Sequence, residues 1–164
     1  MLLFYRGLSL VFLFGLFQLS GIAQITAYSD KLALQYYEQK EYEKANVYFE
    51  KLFDNNAEVW YNYYYKSLVG AKDFSKAEKI TKKQLKQNKN NVHLNVYLAR
   101  IYRQQNDLKK EKESYEKSLK DLIAVQPYLQ SLAVALTEDK QFDLAIEAYN
   151  KGRKATPDYP YFYE

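Results

Sequence analysis

Apolar side chains recur along this chain at the three-and-four spacing of a helix face, and the faces come in pairs. Leu129, Leu132, Ala133 and Leu136 make one stripe, and after a polar turn Phe142, Ala145, Ile146 and Tyr149 make another. Each stripe is the buried side of an amphipathic helix, and so short a turn makes the two helices antiparallel neighbours. Leu32, Ala33 and Tyr36, followed by Tyr42, Ala45, Phe49 and Leu52, repeat the design near the start. The pattern predicts helix pairs over 28–39 with 42–54, 58–71 with 74–88, 92–105 with 108–121, and 126–139 with 142–154. Between the members of each pair stand Glu41, Asp73, Asp107 and Gln141 at equivalent places. The two Asp residues are suited to cap the following helix, because a carboxylate accepts from its free first-turn amides and sits at its positive end.

The pairs are copies of one another. A small residue, an aromatic or Leu three places on, an Ala nine further and a bulky residue after four more recur as Ala33, Tyr36, Ala45, Phe49; Tyr65, Leu68, Ala77, Thr81; Ala99, Tyr102, Glu111, Tyr115; and Ala133, Leu136, Ala145, Tyr149. The steps between equivalent positions are 32, 34 and 34 residues. One such unit cannot bury its own apolar face, so copies must stack, and stacked helical repeats mostly bind other proteins. The pattern of small residue, Tyr, Ala, aromatic and Pro resembles the tetratricopeptide repeat, and the last unit carries it most fully in Leu132, Ala133, Leu136, Ala145, Tyr149 and Pro157. That resemblance covers about residues 28 to 158. It implies an all-α, right-handed α-solenoid of antiparallel helix pairs, with repeats at about 28–57, 58–91, 92–125 and 126–158 and the start of a fifth at 159–164. Two residues depart from it. Tyr65 stands where a small residue is preferred and needs extra room, and Glu111 replaces the second-helix Ala and must stay partly wet or find a cation.

Ahead of the repeats, residues 1–23 carry one cation, Arg6, then an apolar stretch over 8–17 and the small-residue ending Gly21-Ile22-Ala23. This is the order of a secretory signal peptide cleaved after Ala23. The competing reading is an uncleaved anchor, since 2–19 is long enough to span a bilayer. The chain has no cysteine, which removes both disulfides and a lipid-modified terminus from consideration. The remaining residues, 24–164, read as one domain with 23 cations and 20 anions, a mild net charge of +3. These features point to an exported protein of a bacterial periplasm or outer envelope.

Material for catalysis is scarce. His93 is the single histidine, no thiol exists for a metal site or a nucleophile, and Gly70 and Gly152 are isolated rather than grouped in a phosphate loop. No enzyme activity, metal or cofactor is expected, and acids such as Glu111 and Glu113 beside Lys109, Lys110 and Lys112 read as solvated pairs on a helix surface.

Two surfaces are candidates for a partner. By the resemblance, the first helices of the units face a concave groove with Asp30, Leu34 and Tyr37, then Val59, Asn62 and Lys66, then His93, Val96, Arg100 and Arg103, then Gln130, Val134 and Thr137. Asn62, Lys66, His93, Arg100 and Arg103 are the expected partner-binding set, suited to a carboxylate or acidic segment of a protein or peptide. They do not reproduce the family's Lys-Asn-Asn-Lys-Arg carboxylate clamp. The alternative is the basic face of Lys79, Lys82, Lys83 and Lys86, within a stretch from Lys72 to Lys89 that holds seven lysines against Asp73 and Glu78. With an uncleaved leader, that face would make a membrane-surface adaptor. Nucleic acid is not an expected partner of an exported chain. The run Trp60, Tyr61, Tyr63, Tyr64, Tyr65 cannot lie on one helix face, so most of it is expected to be packing. After Pro157 the chain closes on Tyr159, Tyr161, Phe162 and Tyr163, which either fold over the last pair or open a fifth unit of a longer chain, the latter being preferred.

Overall fold

The computed structural model describes residues 29–155 and Pro157. The predicted leader and the aromatic segment 158–164 lie outside the described residues. What is described is helical throughout, without a strand. Residues 29–38 form α1, followed by α2 (Tyr42–Asn55), α3 (Ala57–Gly70), α4 (Phe74–Gln87), α5 (Leu94–Gln104), α6 (Leu108–Lys120), α7 (Gln126–Glu138) and α8 (Phe142–Ala155). Every helix expected from the periodicity is present. Neighbouring helices pack as in a helical repeat, α2 on α3, α4 on α5, α5 on α6, α7 on α8, with α5 also meeting α7 and α6 meeting α8.

The recurrence is visible in the backbone itself. Lys40, Lys72, Asn106 and Lys140 are the described non-glycine residues with positive φ, at 59°, 59°, 58° and 59°. Their spacing repeats the 32, 34 and 34 steps of the side-chain pattern. Each follows an odd-numbered helix. At Asn106 the N–H donates to the carbonyl of Arg103 while the next N–H, of Asp107, donates to that of Tyr102, which closes the helix end with a left-handed residue and satisfies two otherwise orphaned carbonyls. The same two bonds form after α1, at Lys40 and Glu41, and after α7, at Lys140 and Gln141. Asp73 and Asp107 then cap α4 and α6, accepting from the amides of Lys76 and Lys110 at 3.0 Å each. A side chain in the left-handed region is strained while glycine is not, so Lys140→Gly is expected to raise stability by about 0.5–1 kcal/mol, read as a higher urea midpoint at unchanged slope.

The chain divides between Ala71 and Lys72 into two compact units. In the first, aromatic rings supply the core. Phe49 of α2 stacks on Tyr63 with centroids 6.0 Å apart, Tyr37 of α1 meets Tyr63 edge-on at 5.7 Å, and Phe53 lies 5.6 Å from Tyr64. Tyr61, Tyr64 and Tyr65 are buried, Trp60 is half-buried and Tyr63 stays partly exposed, so the aromatic run of α3 does pack inward for the most part. Tyr65, the large residue at a small-residue position, stacks on Tyr61 along its own helix. At the end of α3 the Tyr42 ring lies against the backbone at Gly70, where a Cβ would come within 2.5 Å of ring carbons. Any larger residue there would have to displace the Tyr42 ring.

In the second unit the core is mainly aliphatic. Val92, Val96 and Ala99, Tyr115 and Leu119 from α6, Leu132, Ala135 and Leu136 from α7, and Ala145 and Ala148 from α8 form one buried cluster. The alanines sit where helix axes approach, because only a small side chain leaves room for the neighbour.

Candidate partner-binding site

The five expected groove residues are divided between the two units. Asn62 and Lys66 stand one turn apart on α3 in the first unit, both exposed, with Val59 exposed on the same stripe. His93, Arg100 and Arg103 belong to the second unit, where they line one side of α5. There Val96 departs from the groove-facing place assigned to it, being fully buried in the core.

His93 precedes α5 and its ring meets that of Tyr97 edge-on at 5.8 Å. The Arg100 guanidinium lies over the Tyr97 ring, 5.1 Å from its centre. Burial lowers the pKa of His93 and raises that of Tyr97, so both are held neutral near pH 7. The imidazole packs rather than titrates at that pH. Because its folded pKa is depressed, the unfolded chain binds the proton more readily. His93 therefore costs no stability above the ordinary value near 6.5 and destabilises progressively as pH falls through and below it. His93→Gln is expected to flatten the fall in urea midpoint between neutral and mildly acidic pH, and an unchanged slope would show that His93 is not its source.

Arg100 and Arg103 converge on the turn after α7. Arg103 Nη1 donates to Asp139 Oδ1 at 3.1 Å and Nη2 to Oδ2 at 3.3 Å, a two-pronged contact that suits the guanidinium fork. Its Nε donates to Glu111 Oε1 at 2.7 Å, and Nη2 also donates to the Tyr115 hydroxyl, which in turn donates to Asp139. Arg100 donates from Nη2 to the Ala135 carbonyl at 2.9 Å and lies 3.4 Å from both Glu138 and Asp139. Burial acts against charge on Arg103, but the bond it donates to Glu111 and the charge of Asp139 outweigh it and raise its pKa. Burial, with Asp139 as acceptor, likewise drives the Tyr115 hydroxyl far above its usual range. Glu111, the acid at an alanine position, has found its cation in Arg103 and keeps only 15% of its side chain exposed.

These contacts change the electrostatic meaning of the α5 wall. Two guanidiniums face three carboxylates, Glu111, Glu138 and Asp139, so the cluster carries one net negative charge rather than forming a cationic patch. Asp139 was not among the expected site residues. It stands 36 positions after Arg103, just over one repeat, and only the packing of α5 against α7 brings the two together. Arg103 and Glu111 are eight apart across the Asn106 turn, a proximity that follows from the predicted hairpin.

The remaining exposed wall in the second unit belongs to α7, where Gln130, Val134 and Thr137 all face solvent, Val134 at 50%. On α4, Lys79, Lys82, Lys83 and Lys86 are exposed, and Lys82 is bonded to Glu78 at 2.6 Å. Burial works against charge on Glu78, but bonds from Lys82 and from the Tyr102 hydroxyl hold its pKa below the usual range. Among the described residues no helix is long and apolar enough to cross a membrane.

Fold and surface together define a class: a helical protein whose neighbouring helices pack as in a helical repeat, with exposed apolar and amide side chains side by side on α3 and on α7. No protein-family model matches the chain, and no curated protein matches it.

Proposed function

We propose that this chain is a protein-binding scaffold or assembly module of a bacterial cell envelope, exported by its leader and without catalytic role. In this reading it is a tetratricopeptide-type right-handed α-solenoid, and a peptide or protein segment lies on an exposed helix face, that of α3 in the first unit or that of α7 in the second. The observation that carries the reading is the makeup of those faces: Val59 and Tyr63 beside Asn62 and Lys66 on α3, Val134 beside Gln130 and Thr137 on α7. Apolar anchors among neutral hydrogen-bonding groups are what an extended segment needs for burial and orientation. An acidic segment is best met at Lys66, because Arg100 and Arg103 are already matched by carboxylates.

The exposure of Lys79, Lys83 and Lys86 on α4 supports the second reading, a membrane-surface or acidic-protein contact on that face. The two are separable by capture from envelope extracts with the chain as bait. Val134→Asp and Lys66→Glu are expected to lose the captured partner, while Lys79→Glu with Lys83→Glu retains it. The reverse ranking moves the site to α4, and capture unaffected by either pair overturns the scaffold reading. Intact mass beginning at Gln24 would exclude the anchored form.

A further inference from the structure

The lysines of α6 and those of α4 are held in different ways. On α6, Lys109 pairs with Glu113 at 4.0 Å, Lys110 with Asp107 at 2.8 Å, Lys112 with Glu116 at 3.8 Å and Lys117 with Asp121 at 2.5 Å. Each carboxylate stands three or four places away, which is how a solubilising helix face of alternating sign is built. On α4 the single acid is Glu78, and it is occupied by Lys82 at 2.6 Å and by the Tyr102 hydroxyl at 2.8 Å. The chain then runs from Lys79 to Asn91 with five lysines and no acid. Lys79 and Lys86 are seven residues apart, which places them on one side of the helix with about 10.5 Å between them. Both are exposed and without a carboxylate partner among the described residues, as are Lys72 and Lys89 just beyond the two helix ends. The helix dipole favours a cation in the last turn, which accounts for Lys86 but not for Lys79 or Lys72.

The exposed residues of α4 are all polar: Ser75, Lys79, Lys82, Lys83, Lys86 and Gln87. Its Ala77 and Ile80 are buried. A protein interface draws its affinity from apolar or aromatic anchors at its centre and places charge at the rim, and α4 offers no such anchor. An array of anionic headgroups asks for neither an anchor nor a fitted shape, because each lysine held near it contributes on its own. We propose that the α4 face binds an anionic lipid surface, by charge alone and without insertion, through Lys79 and Lys86 with Lys72 and Lys89 at its ends. This rests on the second reading above and commits it to lipid rather than to an acidic protein. The contact requires neither the leader nor the exposed faces of α3 and α7.

Flotation of the full chain with vesicles of phosphatidylcholine alone, and with equimolar phosphatidylcholine and phosphatidylglycerol, is the test. Binding is expected to be tighter on the mixed vesicles, and the excess is expected to vanish as salt is raised. Lys79→Gln with Lys86→Gln should lower that excess about 25-fold, since each lysine near such a surface is worth about five-fold. Lys109→Gln with Lys112→Gln removes the same charge from α6 and should leave the excess nearly unchanged, because those lysines are already paired. The urea midpoint of both variants is expected to stay at that of the parent, all four side chains being exposed. Equal losses in the two variants would show that net charge alone acts, and would overturn the proposal. The absence of any excess on the mixed vesicles overturns it as well. If a protein captured from envelope extracts is then lost in the Lys79 and Lys86 variant, the acidic-protein form of the second reading stands without the lipid; if it is retained, both fall.

Discussion

Ala145→Asp is expected to destabilise the second unit by about 3–5 kcal/mol, because it buries an unpaired carboxylate at a close helix contact. Ala145 is 6% exposed and belongs to the cluster of Leu132, Leu136 and Ala148. None of these neighbours offers a donor, so the new acid must either drag water into the core or stay protonated at a cost. Ala145→Gly removes one methyl group and introduces no charge, and it should cost only about 1 kcal/mol, mostly from helix propensity. Urea unfolding followed by far-UV circular dichroism separates the two. If the Asp variant unfolds at the midpoint of the Gly variant, Ala145 is not at a close contact.

Arg103→Met is expected to cost about 2–3 kcal/mol, for a different reason. The methionine retains the apolar stem but strands Glu111 and Asp139, whose side chains are 15% and 9% exposed, and removes a donor to Tyr115. Arg103 is itself 38% exposed, which holds the loss below that of a fully buried pair. Adding Glu111→Ala restores the small residue that the repeat pattern places there and should recover more than half of the loss. Arg100 and the Tyr115 hydroxyl still serve Asp139 in the double variant. A double variant no more stable than the single would mean that Glu111 is not the group left stranded. The stability loss expected for Arg103→Met makes charge reversal at Arg103 a test of folding before it is a test of binding.

The helices were legible in the sequence almost to the residue, since a stripe such as Leu129, Leu132, Ala133 and Leu136 can be buried only by a helix, and Asp73 and Asp107 mark where the next one starts. The inter-helix turn was legible as a spacing, although the left-handed residues at its centre are Lys or Asn rather than the glycine that would have announced them. The candidate site was less legible. Reading Arg100 and Arg103 as free cations of a groove wall followed from their place in the repeat. Their carboxylates come from the far side of a turn and from the next pair, at separations of 8 and 36 residues. Glu111 did carry a signal, since an acid at an alanine position requires a cation. Nothing local named Asp139.

By itself, then, the sequence determined which residues are helical and that α5 pairs with α6 and α7 with α8, because periodicity, capping and turn length act within a few residues. Only the tertiary structure decided that Val96 is core and that Arg100 and Arg103 are spent on Glu111, Glu138 and Asp139. It alone decided as well that Phe142 and Ile146 remain uncovered among the described residues. Burial and charge pairing depend on which helix lies opposite, and that is set by packing between helix pairs whose members are a whole repeat apart in the chain.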